Sequence, residues 1–388
     1  MELSQFIEWL AEAANGSGND KRKLIIRFTS PRDYEYCVRL LGRKPVWSRL
    51  QPMPMIQAIA CTLSPASIPD GAMLHGIGTI EEDTRMSVHT PLRKTSTGLQ
   101  PARKAKSAPV IPWGVRHIRA PLAWKKTRGE RIRIGVIDTG ADYTHPDLKH
   151  CLSHGVNILN RYLPPDDDNG HGTHIAGTIA AFTRSRGMIG VAPLAFVHPV
   201  KAFDQLGSAF VSDIIGGIEW CIENNMHIIN MSFGMKTYSK ALEAAIRAAH
   251  QSGIIVIASS GNEGKRGTID YPARLPQVIA VGATTRQGRI APFSNAGKQI
   301  DIYAPGEKIY STWLRGRYNE LSGTSMATSH VSGVVALMLS RNPALNVQQV
   351  KTLLKRHGKP IPKPGRQTIA PKEVHASRSV IAAARRKR

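Results

Sequence analysis

The sequence is short of cysteine, of acidic residues and of long apolar runs. Four cysteines, Cys37, Cys61, Cys151 and Cys221, stand among 388 residues. Their spacing matches no zinc motif and builds no disulfide framework. Cys221, inside IIGGIEWCI, reads as a small core residue. This usage suits a reducing compartment. No apolar run approaches the ~20 residues that a membrane helix needs, so no spanning segment and no membrane partner is expected. Met1 to Ala14 lack the basic start and continuous apolar stretch of a secretory leader. Leu3, Phe6, Ile7 and Leu10 recur instead at the spacing of an amphipathic helix. A cytoplasmic location is expected on that ground, with secretion as the alternative.

Acids number 28 against 52 lysines and arginines, a formal net charge of +24. Such a balance suits either an anionic partner or a solvated basic surface. The basic residues are dispersed, and no basic patch is interleaved with aromatics, so nucleic acid is not expected as a partner. The tail Arg385-Arg386-Lys387-Arg388 leaves polyanion binding open as an addition. A monomer is expected.

Composition divides the chain. Residues 1–89 are mixed: KLIIRFTS (23–30) and MIQAIACTLS (55–64) read as strands, and DYEYCVRLLG (33–42) as a helix ending at Gly42. Residues 90–108 hold Thr, Ser, Pro, Lys and Arg with almost no large apolar side chain, a linker composition. Residues 358–388 form a basic, Pro-rich extension. Between these, residues 109–357 alternate short β-branched runs with helical stretches, the pattern of a mostly parallel α/β sheet. IRIGVID (132–138), FVHPVKAF (196–203), HIINMSF (227–233), IIVIASS (254–260) and VIAVGAT (278–284) are the strands. Such continuous apolar strands need helices on both faces, a doubly wound fold. The helices are expected over 171–182, 212–223, 239–253 and 324–341.

Four segments carry chemistry. Asp138 ends a strand and precedes Thr139-Gly140, where open α/β sheets place their sites; an Asx-turn or a metal ligand would look the same. His171 opens an Ala/Gly-rich helix, and His174 follows at i+3, but no third acidic ligand is placed for zinc. Asn262, in SGNEG, is either a turn former or an amide donor aimed into a cleft. Ser325, in GTSMAT, is either part of a helix N-cap or a nucleophile backed by helix amides.

Taken together in the order Asp, His, Asn, Ser, with DYTHPDL (142–148), HGTHIAGTIAA (171–181), NMSFG (230–234), SGNEG (260–264) and SGTSMA (322–327), the chain from about Pro109 to Lys355 resembles the subtilisin-like serine protease (subtilase) family. The resemblance implies an endopeptidase with Asp138, His171 and Ser325 as the triad, and an oxyanion hole formed by Asn262 and the Ser325 N–H. It implies that Ser232-Phe233-Gly234 and Gly207-Ser208 pair with an extended peptide or protein substrate, with Gly261 and Glu263 close by. Residues 23–89 resemble, more loosely, the family's inhibitory propeptide, a small α+β unit that would act as folding chaperone and inhibitor until cut away between about His89 and Ala108. An inactive homologue is the rival reading.

Two departures from the family matter. Its tight calcium site uses an acid matched by Asp147, but Arg184 stands at a ligand position and Pro109 near another. No cofactor is required on this reading, and Arg184 or Arg186 is expected to pair with Asp147 in place of the ion; calcium held weakly at Asp147 and backbone carbonyls is the alternative. Asp270, aided by Glu263, is expected to favour Arg or Lys at the cleavage site, with Arg93-Lys94 and Arg103-Lys104 as further cuts. A broad, apolar preference is the alternative.

Overall fold

The structure is a computed structural model. It describes residues 3–15, 21–63, 76–88, 108–362 and 370–384. The linker over 90–107, its basic pairs and the last four residues lie outside the described residues.

The N-terminal unit comprises α1 (Leu3–Asn15), β1 (Arg22–Phe28), α2 (Pro31–Leu41), β2 (Gln51–Met53), β3 (Ala58–Leu63), β4 (Ile77–Glu82) and β5 (Arg85–Val88). Ser30 caps α2 by accepting from Asp33 N, and Gly42 follows its last turn, as the sequence suggested. Strands β2, β3, β1 and β4 form one antiparallel sheet in that order. Period-2 alternation divides its side chains. Leu24, Ile26, Ile59, Cys61 and Leu63 pack under α1 and α2. Ile25, Ala58 and Ala60 face the other way, into the core of the larger unit.

The larger unit opens with two short helices, α3 (Trp113–His117) and α4 (Ala120–Ala123). There follow β6 (Arg133–Asp138), β7 (Val156–Asn157), α5 (His171–Ala180), β8 (Phe196–Lys201), β9 (Ser208–Phe210), α6 (Val211–Glu223), β10 (Ile228–Met231), β11 (Phe233–Gly234), α7 (Lys240–Gln251), β12 (Ile255–Ser259) and β13 (Ile279–Thr284). The chain continues through β14 (Ile302–Pro305), β15 (Ile309–Trp313), β16 (Arg317–Leu321), α8 (Thr324–Arg341), α9 (Val347–His357), β17 (Lys359–Pro360), β18 (Lys372–Glu373) and α10 (Ala376–Ala383). The main sheet runs β17-β18-β14-β13-β12-β10-β6-β8-β7 and is parallel except at β17. Its strands are buried on both faces: Ile134, Val136 and Ile257 pack with α5 and α8, and Ile137, Val256 and Ala258 with α6 and α7. This is the expected doubly wound α/β fold. From β6 the chain goes to β7 and β8 on one side and then back across to β10 on the other, so the topology switches beside β6, at whose carboxyl end Asp138 lies.

Two expectations about elements change. HIINMSF is not one strand: β10 stops at Met231, and Phe233-Gly234 leaves the main sheet to pair with β5. The described part of 358–388 is no loose extension. Strand β18 pairs with β14, and α10 buries Val380 and Ala383 in the core shared with α8. Its Ala376 N–H bonds Ile118 O at 2.8 Å.

Candidate active site

Asp138, at the end of β6, and His171, the first residue of α5, are both almost wholly buried. The His171 Nδ1–H donates to Asp138 Oδ1 at 2.7 Å, and Thr139 N–H donates to the same oxygen at 2.8 Å. This fixes the imidazole tautomer and leaves Nε2, which has no hydrogen-bond partner among the described residues, turned to the cleft. Ser325 is the second residue of α8, so its N–H is one of the helix's unpaired first amides. Its Oγ donates to Ser232 O at 2.8 Å, not to His171. A bond from Ser325 Oγ to His171 Nε2 would require the serine side chain to turn.

Asn262 sits in the loop after β12. Its Oδ1 accepts from Thr324 N at 2.9 Å and from Thr324 Oγ1 at 2.8 Å. Nδ2 therefore faces away from Thr324, buried and without a partner among the described residues. That is a donor held ready beside the nucleophile. Gly261, at φ +106°, makes the turn possible: a Cβ there would fall 2.2 Å from Asn295 Nδ2.

The two edges expected to take substrate are both paired within the chain. Strand β5 lies between β11 and β9, antiparallel to both. Val88 stands opposite Phe233, Ser87 opposite Gly234 and Ser208, and Val88 N donates to Gly207 O at 3.0 Å. Gly207 (φ +72°) has no Cβ for a reason: one would meet Val88 Cγ2 at 2.7 Å.

Sequence reasoning missed Asp167. Its Oδ1 accepts from Thr139 Oγ1, Asn169 N and Gly170 N at 2.8–2.9 Å, and its Oδ2 from Thr173 N at 2.9 Å and Thr173 Oγ1 at 2.6 Å. It ties the end of β6 to the start of α5, and so Asp138 to His171. Its signal was the acidic run Asp166-Asp167-Asp168 just before the histidine helix. His174, by contrast, is structural. It is buried, its Nε2 bonds Ile309 O at 3.0 Å, and burial pushes its pKa down to about 3.

One expectation is corrected. Asp147 does not pair with Arg184 or Arg186. Its Oδ2 accepts from Met188 N and Tyr318 Oη, both at 2.8 Å, and burial holds its pKa above the carboxylate range. Asp147 is the one carboxylate here and its Oδ2 is already taken by these two donors, so a divalent cation at this place would have to rest on Oδ1 and backbone carbonyls. The acids expected to form a basic-selective pocket have a partner that the sequence reading did not include. Asp270 is buried, and Lys236 Nζ lies 2.7 Å from its Oδ1 and 2.5 Å from Glu263 Oε2. The chain supplies the cation itself.

The subtilase family model matches residues 129–369, which hold every one of the chemical groups above. The chain belongs to the subtilase family. This subtilase is 45% identical over 249 residues to subtilisin E of Bacillus subtilis, a match covering 63% of this chain and 65% of that one. It is 45% identical to subtilisin of Bacillus pumilus over 63% of this chain and 90% of that one. An alkaline protease of Shouchella clausii is 38% identical over 301 residues, 77% of this chain and 73% of its own. The match thus spans slightly under two thirds of the length of subtilisin E. The cytoplasmic expectation is corrected by this company, since these subtilisins and alkaline proteases are secreted, extracellular proteins.

Proposed function

We propose that this subtilase is a serine endopeptidase that cleaves peptide bonds in proteins and is made as a zymogen. The observation that carries it is one cleft holding the Asp138–His171 pair, the bare Asn262 amide and Ser325, with two strand edges beside them that accept an extended chain. Ser325 Oγ turns from Ser232 O and attacks the substrate carbonyl as His171 Nε2 takes its proton. The carbonyl oxygen, now anionic, is held by Asn262 Nδ2–H and the Ser325 N–H. Asp138 stabilises the imidazolium, which gives its proton to the leaving amine. Water then attacks the acyl-enzyme by the same route and frees Ser325. Each step uses only groups of this chain.

Residues up to His89 serve, on this reading, as the propeptide. Three features support it. Strand β5 fills the site that a substrate strand needs. The N-terminal sheet shares a core with α6 and α7. Two of its acids cap those helices: Glu81 accepts from Ser239 Oγ, Lys240 N and Ala241 N, and Asp83 from Ser212 N and Oγ. The register of β5 also supports a choice of bond. Val88, the last residue of β5, stands opposite Phe233, which follows Ser232 in sequence, and the Ser232 carbonyl holds Ser325 Oγ. We read His89–Thr90 as the bond cut during maturation.

Intact mass of the wild-type chain and of Ser325→Ala, followed at 25 °C, tests this reading. The wild type should release residues 1–89, and Ser325→Ala should stay whole. If both stay whole and a fluorophosphonate does not label Ser325 in the wild type, the reading fails.

A further inference from the structure

Beside the reactive serine lies an ion cluster that the peptide chemistry leaves unused. Lys236 is two residues past Gly234 on the substrate edge, and its side chain is half exposed. It bridges Asp270 Oδ1 at 2.7 Å and Glu263 Oε2 at 2.5 Å. The Asp270 carboxylate lies against Gly261, one residue from Asn262: a Cβ on Gly261 would fall 2.7 Å from Asp270 Oδ2. Glu263, on the other side of Asn262, also accepts from Asn295 Nδ2 at 2.7 Å. Met235 and Tyr271 exchange two backbone bonds of 2.9 Å and so join the two walls behind the cluster.

The register of β5 fixes what these walls enclose. A chain bound as β5 is bound brings its next residue opposite Ser232, beside Ser325. The side chain of that residue, P1, enters the space between 232–236 and 260–271. Two carboxylates on one wall of such a pocket would by themselves select a cation. Burial works against the Lys236 ammonium, yet the bonds and charges of Asp270 and Glu263 outweigh it and hold its pKa above the ordinary lysine value.

We propose that Lys236 is the specificity-determining residue of this pocket: its ammonium occupies the place of a basic P1 group, turning Arg and Lys away and leaving the pocket to uncharged side chains. An arriving guanidinium would have to separate a formed ion pair from the buried Asp270 carboxylate, or lie against a like charge. The proposal rests on the serine endopeptidase reading and deepens it.

The test compares kcat/KM for two peptide anilides that differ only at P1, Arg against Phe. The full-length wild type and its variants are allowed to mature, and active sites are counted with a fluorophosphonate. The wild type should prefer Phe. In Lys236→Met the Arg-to-Phe ratio should rise about 10- to 100-fold. Lys236→Arg should keep the wild-type ratio, and Lys236→Met with Asp270→Asn should lose the gain. Asp270→Asn alone leaves the ammonium with one carboxylate, Glu263, in place of two, so a peptide with Glu at P1 should gain about 10-fold over Phe. A wild type that already prefers Arg overturns the proposal. So does a ratio in Lys236→Met within about twofold of wild type, or, should that variant not fold, no gain for Glu in Asp270→Asn. A wild type inert to every peptide and to the fluorophosphonate overturns the endopeptidase reading itself.

Discussion

Thr324 holds Asn262 by both of its donors: N–H and Oγ1 reach Asn262 Oδ1 at 2.9 and 2.8 Å. Two bonds to one oxygen decide which end of the amide faces the cleft. Asn262→Leu should lower kcat by about 10²–10³-fold with KM little changed, the loss established for the oxyanion-hole amide of subtilisin itself. Thr324→Val keeps the backbone bond and removes the other, so the amide can turn. Its kcat should fall about tenfold, by the cost of one hydrogen bond. Steady-state kinetics on one peptide anilide checks both. Equal kcat in wild type and Thr324→Val would mean that the backbone bond alone orients Asn262.

Asp167 predicts a second loss. Asp167→Asn trades one acceptor oxygen for a donor amid five donors, which should cost about 1–3 kcal/mol of stability. Because the carboxylate joins Thr139 to the first turn of α5, kcat should fall as well, while KM moves little. Denaturant unfolding in a Ser325→Ala background gives the first quantity and kinetics the second. A stability loss with kcat intact would make Asp167 structural only.

What the sequence made legible follows from how local each signal is. The apolar runs of β6, β8, β10, β12 and β13 need no partner to be recognised, and neither does the small-residue opening of α8. The fold and the order Asp138, His171, Asn262, Ser325 were therefore readable. Charge partners were not, because they depend on which loops meet. Lys236 is one exposed lysine among many until Met235 bridges to Tyr271 and brings it to Asp270. Likewise Tyr318 reaches Asp147 from 171 residues away, and no spacing rule anticipates that. The break at Ser232 was hidden because Phe233-Gly234 looks like strand and is strand, only in another sheet. Ser329 lies inside α8 and its Oγ donates to Met326 O at 2.8 Å.

His330 predicts an acid-side instability. It is buried in α8, with Nδ1 bonded to Met326 O at 2.7 Å, and burial pushes its pKa from 6.5 down to about 4, against the pull of the Met326 carbonyl and of Glu373. The folded state thus binds the proton more weakly than the unfolded chain. The stability it supplies is full above pH 6.5 and is lost as pH falls from there toward 4. The loss amounts to roughly 3 kcal/mol at 1.36 kcal/mol per pH unit. In a Ser325→Ala background, the denaturant midpoint should fall between pH 7 and pH 5, and His330→Gln should flatten that fall by about one proton. An equal slope in both proteins would place the acid sensitivity elsewhere.

The last prediction concerns the joint between the two units. Glu81 receives three donors at the start of α7, and Asp83 receives two from Ser212 near the start of α6 while pairing with Lys23 at 3.2 Å. A helix start without its acceptor leaves amides unpaired, at about 0.5–2 kcal/mol each. Glu81→Ala with Asp83→Ala should therefore weaken the hold of the N-terminal unit by roughly 2–3 kcal/mol. In the uncut Ser325→Ala chain, hydrogen exchange reports this as faster exchange across β1, β3 and β4 with little change in β6, β10 or β12. Glu82, between the two acids and exposed, serves as the control. Equal effects from Glu82→Ala would show that the docking answers to net charge and not to the caps. The direction matters for timing, since a looser N-terminal unit should also leave the cleft sooner and shorten the lag before activity in the cleaving enzyme.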